Sequence, residues 1–222
     1  MSVDDSARFF DAIAGRYDRV YALPAAESRR RMIRILSELP PAPVRVLDLG
    51  VGPGRELTAL LDRGYEPTGL DVSPRMLAIC ARRARRIPLV LANFWQPPLP
   101  FADATFGAAI ALHGTLAHPP NEATVSGLVH ELGRVIVRGG RFLAEVPTVA
   151  WLEAASSVPP TDERRITRTG THTCVFEDGV ARTSIETRLL EASQWRETFS
   201  PLWEARLEAL SPLEWLIVAE RL

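Results

Sequence analysis

Three groups of residues have the types and spacing of a ligand site. The first is Val46-Leu47-Asp48-Leu49-Gly50-Val51-Gly52-Pro53-Gly54, an apolar run closing on an acid and three alternating glycines. Glycine reaches positive φ readily and lets a ligand approach the backbone closely. A helix opening behind such a turn presents free N–H donors suited to a carboxylate or a phosphate. Asp48 stands where it can orient the turn or accept a bond from a ligand ammonium. The second group is Gly69-Leu70-Asp71, whose acid lies 17 residues beyond Gly54. An acid just past a second strand tip accepts the two hydroxyls of a ribose. The third is histidine. His113 precedes Gly114 at the end of an apolar run and reads either as a general base or as a turn residue lining a ligand. His118, before Pro119-Pro120, reads as a loop residue at a helix entry, His130 as a helix residue and His172 as part of a hairpin.

These groups need a scaffold that delivers them to one edge. Val44 to Leu49, Glu66 to Asp71, Pro88 to Ala92, Thr105 to Leu112 and Arg141 to Val146 read as short buried strands. Helices are expected between them at 55–62, 73–86 and 121–137, with Ser73 as N-cap and Pro74 at the first helical position. Gly139-Gly140 is expected to turn the chain into the fifth strand. Alternation of this kind argues a mostly parallel sheet covered on both faces. Two helices, 5–22 and 24–39, precede it. A hairpin signal at Asp178-Gly179 follows it, within 164–187. A helix near 189–199 and a final pair of strands, 203–209 and 214–220, are expected to close the chain as an antiparallel edge.

An adenosine held at one end and an anion at the other suits both a nicotinamide dinucleotide and S-adenosylmethionine. The dinucleotide fingerprint is GxGxxG. Counted from Gly50, its third glycine falls on Arg55.

Composition narrows the classes. Net charge is −1, and all 26 basic residues are arginine. A lysine base or Schiff base is therefore excluded. The Arg82-Arg83, Arg85-Arg86 run sits where cations complement a helix C-terminus, without interleaved aromatics, so nucleic acid is not an expected partner. Cys80 and Cys174 form no CxxC pair, which suits a reducing compartment. No apolar run reaches membrane-spanning length and the first ten residues lack a secretory pattern, so a cytoplasmic protein off the membrane is expected. No metal-ligand spacing is present.

Several further segments resemble one family. Phe10-Asp11-Ala12-Ile13-Ala14-Gly15-Arg16-Tyr17-Asp18 looks like its F-D-x-I-A-x-x-Y-D segment, and Asp48 to Gly54 like its D-x-G-x-G-x-G turn. Gly69 to Leu77 resembles G-x-D-x-S-x-x-M-L, and Glu131 to Arg141 resembles E-x-x-R-V-L-x-P-G-G-R. The family is the class I S-adenosylmethionine-dependent methyltransferases, in the branch of quinone-biosynthesis and other small-molecule enzymes. The resemblance implies a Rossmann-like α/β three-layer sandwich, its seven-stranded sheet parallel except for the last strand. It implies S-adenosylmethionine at the strand tips, with Asp71 on the ribose, Met76 against the adenine and Tyr17 over the methionine end or the substrate mouth.

The chain departs from the family at Asn93, followed by Phe94, where an acid usually meets the adenine amine, and at Gly107, where aspartate is usual. The cofactor set read on this basis is Tyr17, Asp48, Gly50, Gly52, Gly54, Asp71, Val72, Met76, Asn93, Phe94 and His113, with His113 also the catalytic candidate. One methyltransferase domain over 1–222 is expected, with 1–40 as a helical cover and 148–187 as an insertion over the site. The acceptor is expected to be a small molecule. A cofactor-binding protein without activity and a nicotinamide-dependent oxidoreductase are the rival readings. Asp71→Ala is expected to weaken S-adenosylmethionine binding measured by calorimetry. Parental affinity in that variant would place the ribose elsewhere.

Overall fold

The computed structural model describes residues 3–21, 23–161 and 163–222. Seven strands form one sheet in the order β3-β2-β1-β4-β5-β10-β9. They are β1 (Arg45–Leu49), β2 (Glu66–Asp71), β3 (Leu89–Leu91), β4 (Phe106–Ala111), β5 (Ile136–Pro147), β9 (Trp203–Ser211) and β10 (Glu214–Arg221). All are parallel except β10, which runs antiparallel to both of its neighbours. The Rossmann-like sheet with its last strand reversed is therefore present.

Strand alternation divides the core. Val46, Ala108 and Ile110 face one side, with Ile35, Leu57, Leu60 and Cys80 from α3 (Ala25–Glu38), α4 (Leu57–Leu61) and α5 (Pro74–Arg83). Leu47, Leu49, Ala109 and Ala111 face the other, against α6 (Glu122–Val135) and α8 (Ala192–Phe199). Ser73 caps α5 as its sequence predicts, its hydroxyl accepting the Met76 N–H at 3.0 Å.

The last two strands form the expected antiparallel pair at one end of the sheet. β10 lies between β5 and β9, so only β9 is at the edge. The four buried residues Leu216 to Ala219 have the two-sided burial of an interior strand, whereas β9 has few fully buried positions. The fifth strand starts earlier than expected, at Ile136, and runs through Gly139-Gly140. Gly139 has φ +72° there, and the β4–β5 register shifts between Phe106 and Ala108. The glycines thus form an irregularity within a strand, where a Cβ on Gly140 would lie 2.7 Å from the Gly107 carbonyl.

The expected helix 5–22 is broken into α1 (Val3–Ile13), a 3₁₀ turn at Ala14–Arg16 and α2 (Tyr17–Val20). Gly15 lies in the turn, where its backbone freedom disfavours a continuous helix. Beyond α7 (Val149–Ser157), the hairpin signal resolves into three antiparallel strands, β6 (Arg165–Arg168), β7 (Thr173–Asp178) and β8 (Thr183–Arg188). Phe9 of α1 packs edge-on against Phe176 of β7, 5.9 Å between centroids, and Arg16 donates to Asp178 at 2.8 Å. The small sheet and the N-terminal helices therefore pack as one cover.

Gly107, where the family pattern has aspartate, has a packing reason. A Cβ there would fall 2.1 Å from Val44 Cγ1. Gly107→Ala is expected to lower unfolding free energy by about 1–3 kcal/mol, the usual cost of overpacking. Val44→Ala should recover part of that loss in urea denaturation. An equal loss in both backgrounds would refute the steric origin.

Candidate functional site

A cavity of about 520 Å³ opens where the tips of β1, β2 and β4 meet the cover. Tyr17, Gly50, Gly52, Asp71, Val72, Met76, Asn93, Phe94 and His113 all line it. Asp48 and Gly54 do not line it. Gly54, φ +79°, closes the turn against α5, where a Cβ would meet Cys80 Sγ at 2.7 Å. Asp48 is buried behind the turn, and its Oδ2 has no hydrogen-bond partner.

The turn's N–H groups are not aimed at a ligand, contrary to the expectation from its glycines. Gly50 and Val51 donate to the Leu70 carbonyl at 2.8 and 3.1 Å, and Gly54 donates to Val51 at 2.9 Å. Gly52 donates to Asp71 Oδ2 at 2.8 Å. The helix behind, α4, starts only at Leu57 and has five residues. The loop therefore gives a bare wall rather than an anion cradle. A pyrophosphate finds little here.

The local charge points the same way. Asp48, Glu56 and Asp71 converge behind this wall. Burial, then the charges of Glu56 and Asp71, raise the Asp48 carboxyl well above its usual range. Burial also raises Asp71, against bonds from the Ser73 and Gly52 N–H groups. A negative cluster with an orphaned carboxylate oxygen suits a cationic ligand. The ammonium and sulfonium of S-adenosylmethionine fit that demand; a dinucleotide's anionic bridge does not. Carboxylate oxygens have lone pairs beyond those used here, so Asp71 keeps acceptor capacity toward a diol. Asn93 lines the cavity, but its Oδ1 accepts the Trp95 N–H at 2.8 Å, leaving only a second lone pair for an adenine amine.

Arg55 lines the cleft, but its guanidinium is already engaged. Its guanidinium donates to Asp18 at 2.8 Å and to the Tyr21 and Tyr17 carbonyls at 3.0 and 3.4 Å, and lies 4.8 Å over the Tyr17 ring. It fastens α2 over the glycine turn. Tyr17 is thereby enclosed, and burial pushes its phenol up to about 12. The neighbouring Tyr21 hydroxyl is buried without a partner.

His113 sits at the tip of β4 with φ +54°, a strained value for a residue with a side chain. Its N–H donates to Glu145 Oε2 at 2.8 Å, which holds the bend. Its Nε2 meets Glu56 Oε1 at 2.5 Å, and Nδ1 lies 4.0 Å from Glu145 Oε2. Both ring nitrogens thus face carboxylates. Burial opposes the charged ring, but the Glu56 bond and the charges of Glu56 and Glu145 outweigh it and raise the His113 pKa.

Three residues matter here that the sequence reading passed over. Glu56 is the partner of His113. Arg31 is buried, donating to Glu145 at 3.0 Å and, through two nitrogens, to Glu214 at 2.6 and 3.0 Å. The sequence held a signal for it: unlike Arg29 and Arg30, Arg31 lies one helical turn before Ile35 on the buried face. His118, read as a loop residue, lines the cavity beneath β8. His172 does not line it; it pairs with Glu191 at 2.8 Å. Glu145, near the end of β5, is the partner of Arg31.

Residues 46–140 match the family described as a methyltransferase domain. The chain is 30% identical over 140 residues to the demethylmenaquinone methyltransferase of Tropheryma whipplei, covering 61% of this chain and 56% of that protein. It is 33% identical over 136 residues to the trans-aconitate 2-methyltransferase of Methylobacterium nodulans, covering 59% and 50%. The chain thus spans about half the length of the curated relatives it matches. In fold it is similar to the CcbJ methyltransferase from Streptomyces caelestis, with TM-score 0.75, 19% identity and coverage of 98% and 99% of the two chains. Among the described residues, no helix is long and apolar enough to cross a membrane, and no group of three or more His, Cys, Asp or Glu is placed to hold a metal.

The raised His113 pKa has a signed consequence. Its contribution to stability is fully present below the unfolded value of 6.5 and is lost as pH rises through the folded value. Glu56→Gln should lower the His113 pKa followed by NMR and flatten stability across that window. An unmoved imidazole titration would show that Glu56 does not hold the ring.

Proposed function

We propose that this chain is a class I S-adenosylmethionine-dependent methyltransferase and that it transfers the cofactor's methyl group to a small molecule; the methyltransferase-domain match over 46–140 and the kinship to the demethylmenaquinone methyltransferase support this reading. The observation carrying this reading is the acidic cluster behind a wall of glycines whose N–H groups are already used. S-Adenosylmethionine supplies a methyl group on a positively charged sulfur, a leaving group that needs no acid. The protein's contribution is then alignment and exclusion of water.

In this proposal Asp71 accepts the ribose hydroxyls, with Val72 and Met76 beside the adenosine. Asn93 and Phe94 close its far side. Asp48, through its free Oδ2, and the nearby carboxylates balance the cationic end. Tyr17 covers that end. His113, the catalytic candidate by sequence, becomes a positioning residue, because both its nitrogens already face carboxylates. The cover formed by 1–40 and 148–187 selects the acceptor, within a single domain over 1–222. The two cysteines are buried free thiols, consistent with a cytoplasmic enzyme. Neither nucleic acid nor membrane is among its proposed partners.

Relatives named for trans-aconitate and for demethylmenaquinone have acceptors of different character, so kinship alone does not choose between a polycarboxylate and a ring. The cofactor half is directly testable. Calorimetry should show S-adenosylmethionine binding and no NAD binding. Because the Asp48 carboxyl is raised, bringing a cation to it should release a proton, so affinity should strengthen as pH rises through that value. Asp48 lies behind the turn and acts on the ligand through its charge rather than by contact, so Asp48→Asn should reduce the proton release and weaken binding. Tight NAD binding would overturn the reading.

A further inference from the structure

The acceptor end of the cavity lies under the cover. Its walls include Phe10, Trp151, Ile166, Phe176 and Ile185, and the imidazole among them is His118, beside Thr187. The His118 ring is fixed on two sides. Phe10 packs edge-on to it at 5.8 Å, and its Nδ1 lies 3.0 Å from the Glu186 carbonyl on β8. A carbonyl only accepts, so Nδ1 carries the hydrogen. In a neutral imidazole the lone pair then sits on Nε2. Among the described residues, Nε2 has no hydrogen-bond partner, although its residue lines the cavity. Thr187 Oγ1, 3.5 Å away, is on the Nδ1 side.

We propose that His118 Nε2 receives the acceptor's proton, and that the acceptor is a neutral hydroxyl compound with an apolar, ring-containing body. This deepens the methyltransferase reading and rests on it.

The contrast with His113 is chemical. His113 is raised by two carboxylates and has no nitrogen left for a ligand. His118 is lowered, chiefly by burial and against the Glu186 bond, and no charged side chain contributes. It is therefore a neutral acceptor at neutral pH, which is what a base requires. The groups facing it are the Phe10 ring from α1 and the Glu186 carbonyl and Thr187 hydroxyl from β8. Arg164, an exposed residue at the cavity, is the one cation of the lining that no ion pair holds among the described residues. One exposed arginine against five apolar walls disfavours a polycarboxylate.

The step balances. The acceptor oxygen forms a bond to the methyl carbon as the carbon–sulfur bond breaks, its electron pair staying on sulfur. The hydroxyl proton passes to Nε2. The positive charge leaves the sulfonium and reappears on the imidazolium, which later returns its proton to water.

The test uses 2-naphthol and 2-naphthoate, which share a body and differ in the polar group. In nitrogen-resolved NMR of the intact protein with S-adenosylhomocysteine, His118 should show hydrogen on Nδ1 and a bare Nε2. Adding 2-naphthol should shift Nε2, and 2-naphthoate should not. His118→Asn keeps a donor able to reach the Glu186 carbonyl but loses the base. It should bind S-adenosylmethionine like the parent and lose about 10²- to 10⁴-fold in turnover of 2-naphthol, the usual worth of a positioned base. Hydrogen found on Nε2, an unmoved Nε2 with 2-naphthol, or parental turnover in His118→Asn would each overturn the proposal. Failure of the parent to bind S-adenosylmethionine would instead overturn the methyltransferase reading beneath it.

Discussion

Everything at the strand tips is arranged around a surplus of negative charge with nowhere to go. Asp48, Glu56 and Asp71 are brought together by two consecutive βα connections, and Arg55, the cation nearest in sequence, is engaged by Asp18 and the α2 segment's carbonyls. A buried carboxylate oxygen without a donor costs free energy comparable to a lost hydrogen bond or more. Such a cost persists in a fold where a ligand relieves it. The charge of the ligand follows from the sign of the surplus, and this is why the site separates a sulfonium nucleoside from a dinucleotide more sharply than the glycine count does.

The same logic of paired charge builds the cover. In a chain without lysine, guanidinium groups fasten the N-terminal helices to the rest, Arg31, Arg55 and Arg16 among them. Arg31 joins α3 to β5 and β10 through Glu145 and Glu214, Arg55 joins the glycine turn to α2, and Arg16 joins the 3₁₀ turn to Asp178 of β7. The planar fork of arginine suits these multiple contacts. Glu145 is the shared node. One of its oxygens holds Arg31 and the other holds the strained backbone of His113. The entrance helix and the β4 tip are thereby linked through one buried carboxylate.

The sheet was legible because its signals are local. Short apolar runs end in turn residues, Ser73-Pro74 opens a helix, and Asp71 follows a strand by one residue. Positions that depend on distant partners were not. The Gly139-Gly140 pair reads as a turn until β4 is seen to approach the strand there. The site divides in the same way. The glycine turn and Asp71 are contiguous motifs. Glu56 acquires meaning only when β4 delivers His113 to it, and His118 only when β8 places a carbonyl against Nδ1.

The two histidines show how far environment outweighs residue type. They are five positions apart in one chain segment and line one cavity. His113 is flanked by carboxylates and favours its charged form; His118 is flanked by a ring, a carbonyl and a hydroxyl and favours its neutral form. Environments that push like groups apart assign them different tasks. An imidazole bonded to Glu56 engages one carboxylate of the acidic cluster, while a neutral imidazole under the apolar cover keeps a lone pair where an acceptor can meet it. In the proposed reading, division of charge along the cavity, acidic at the strand tips and neutral beneath the cover, orders the two ligands.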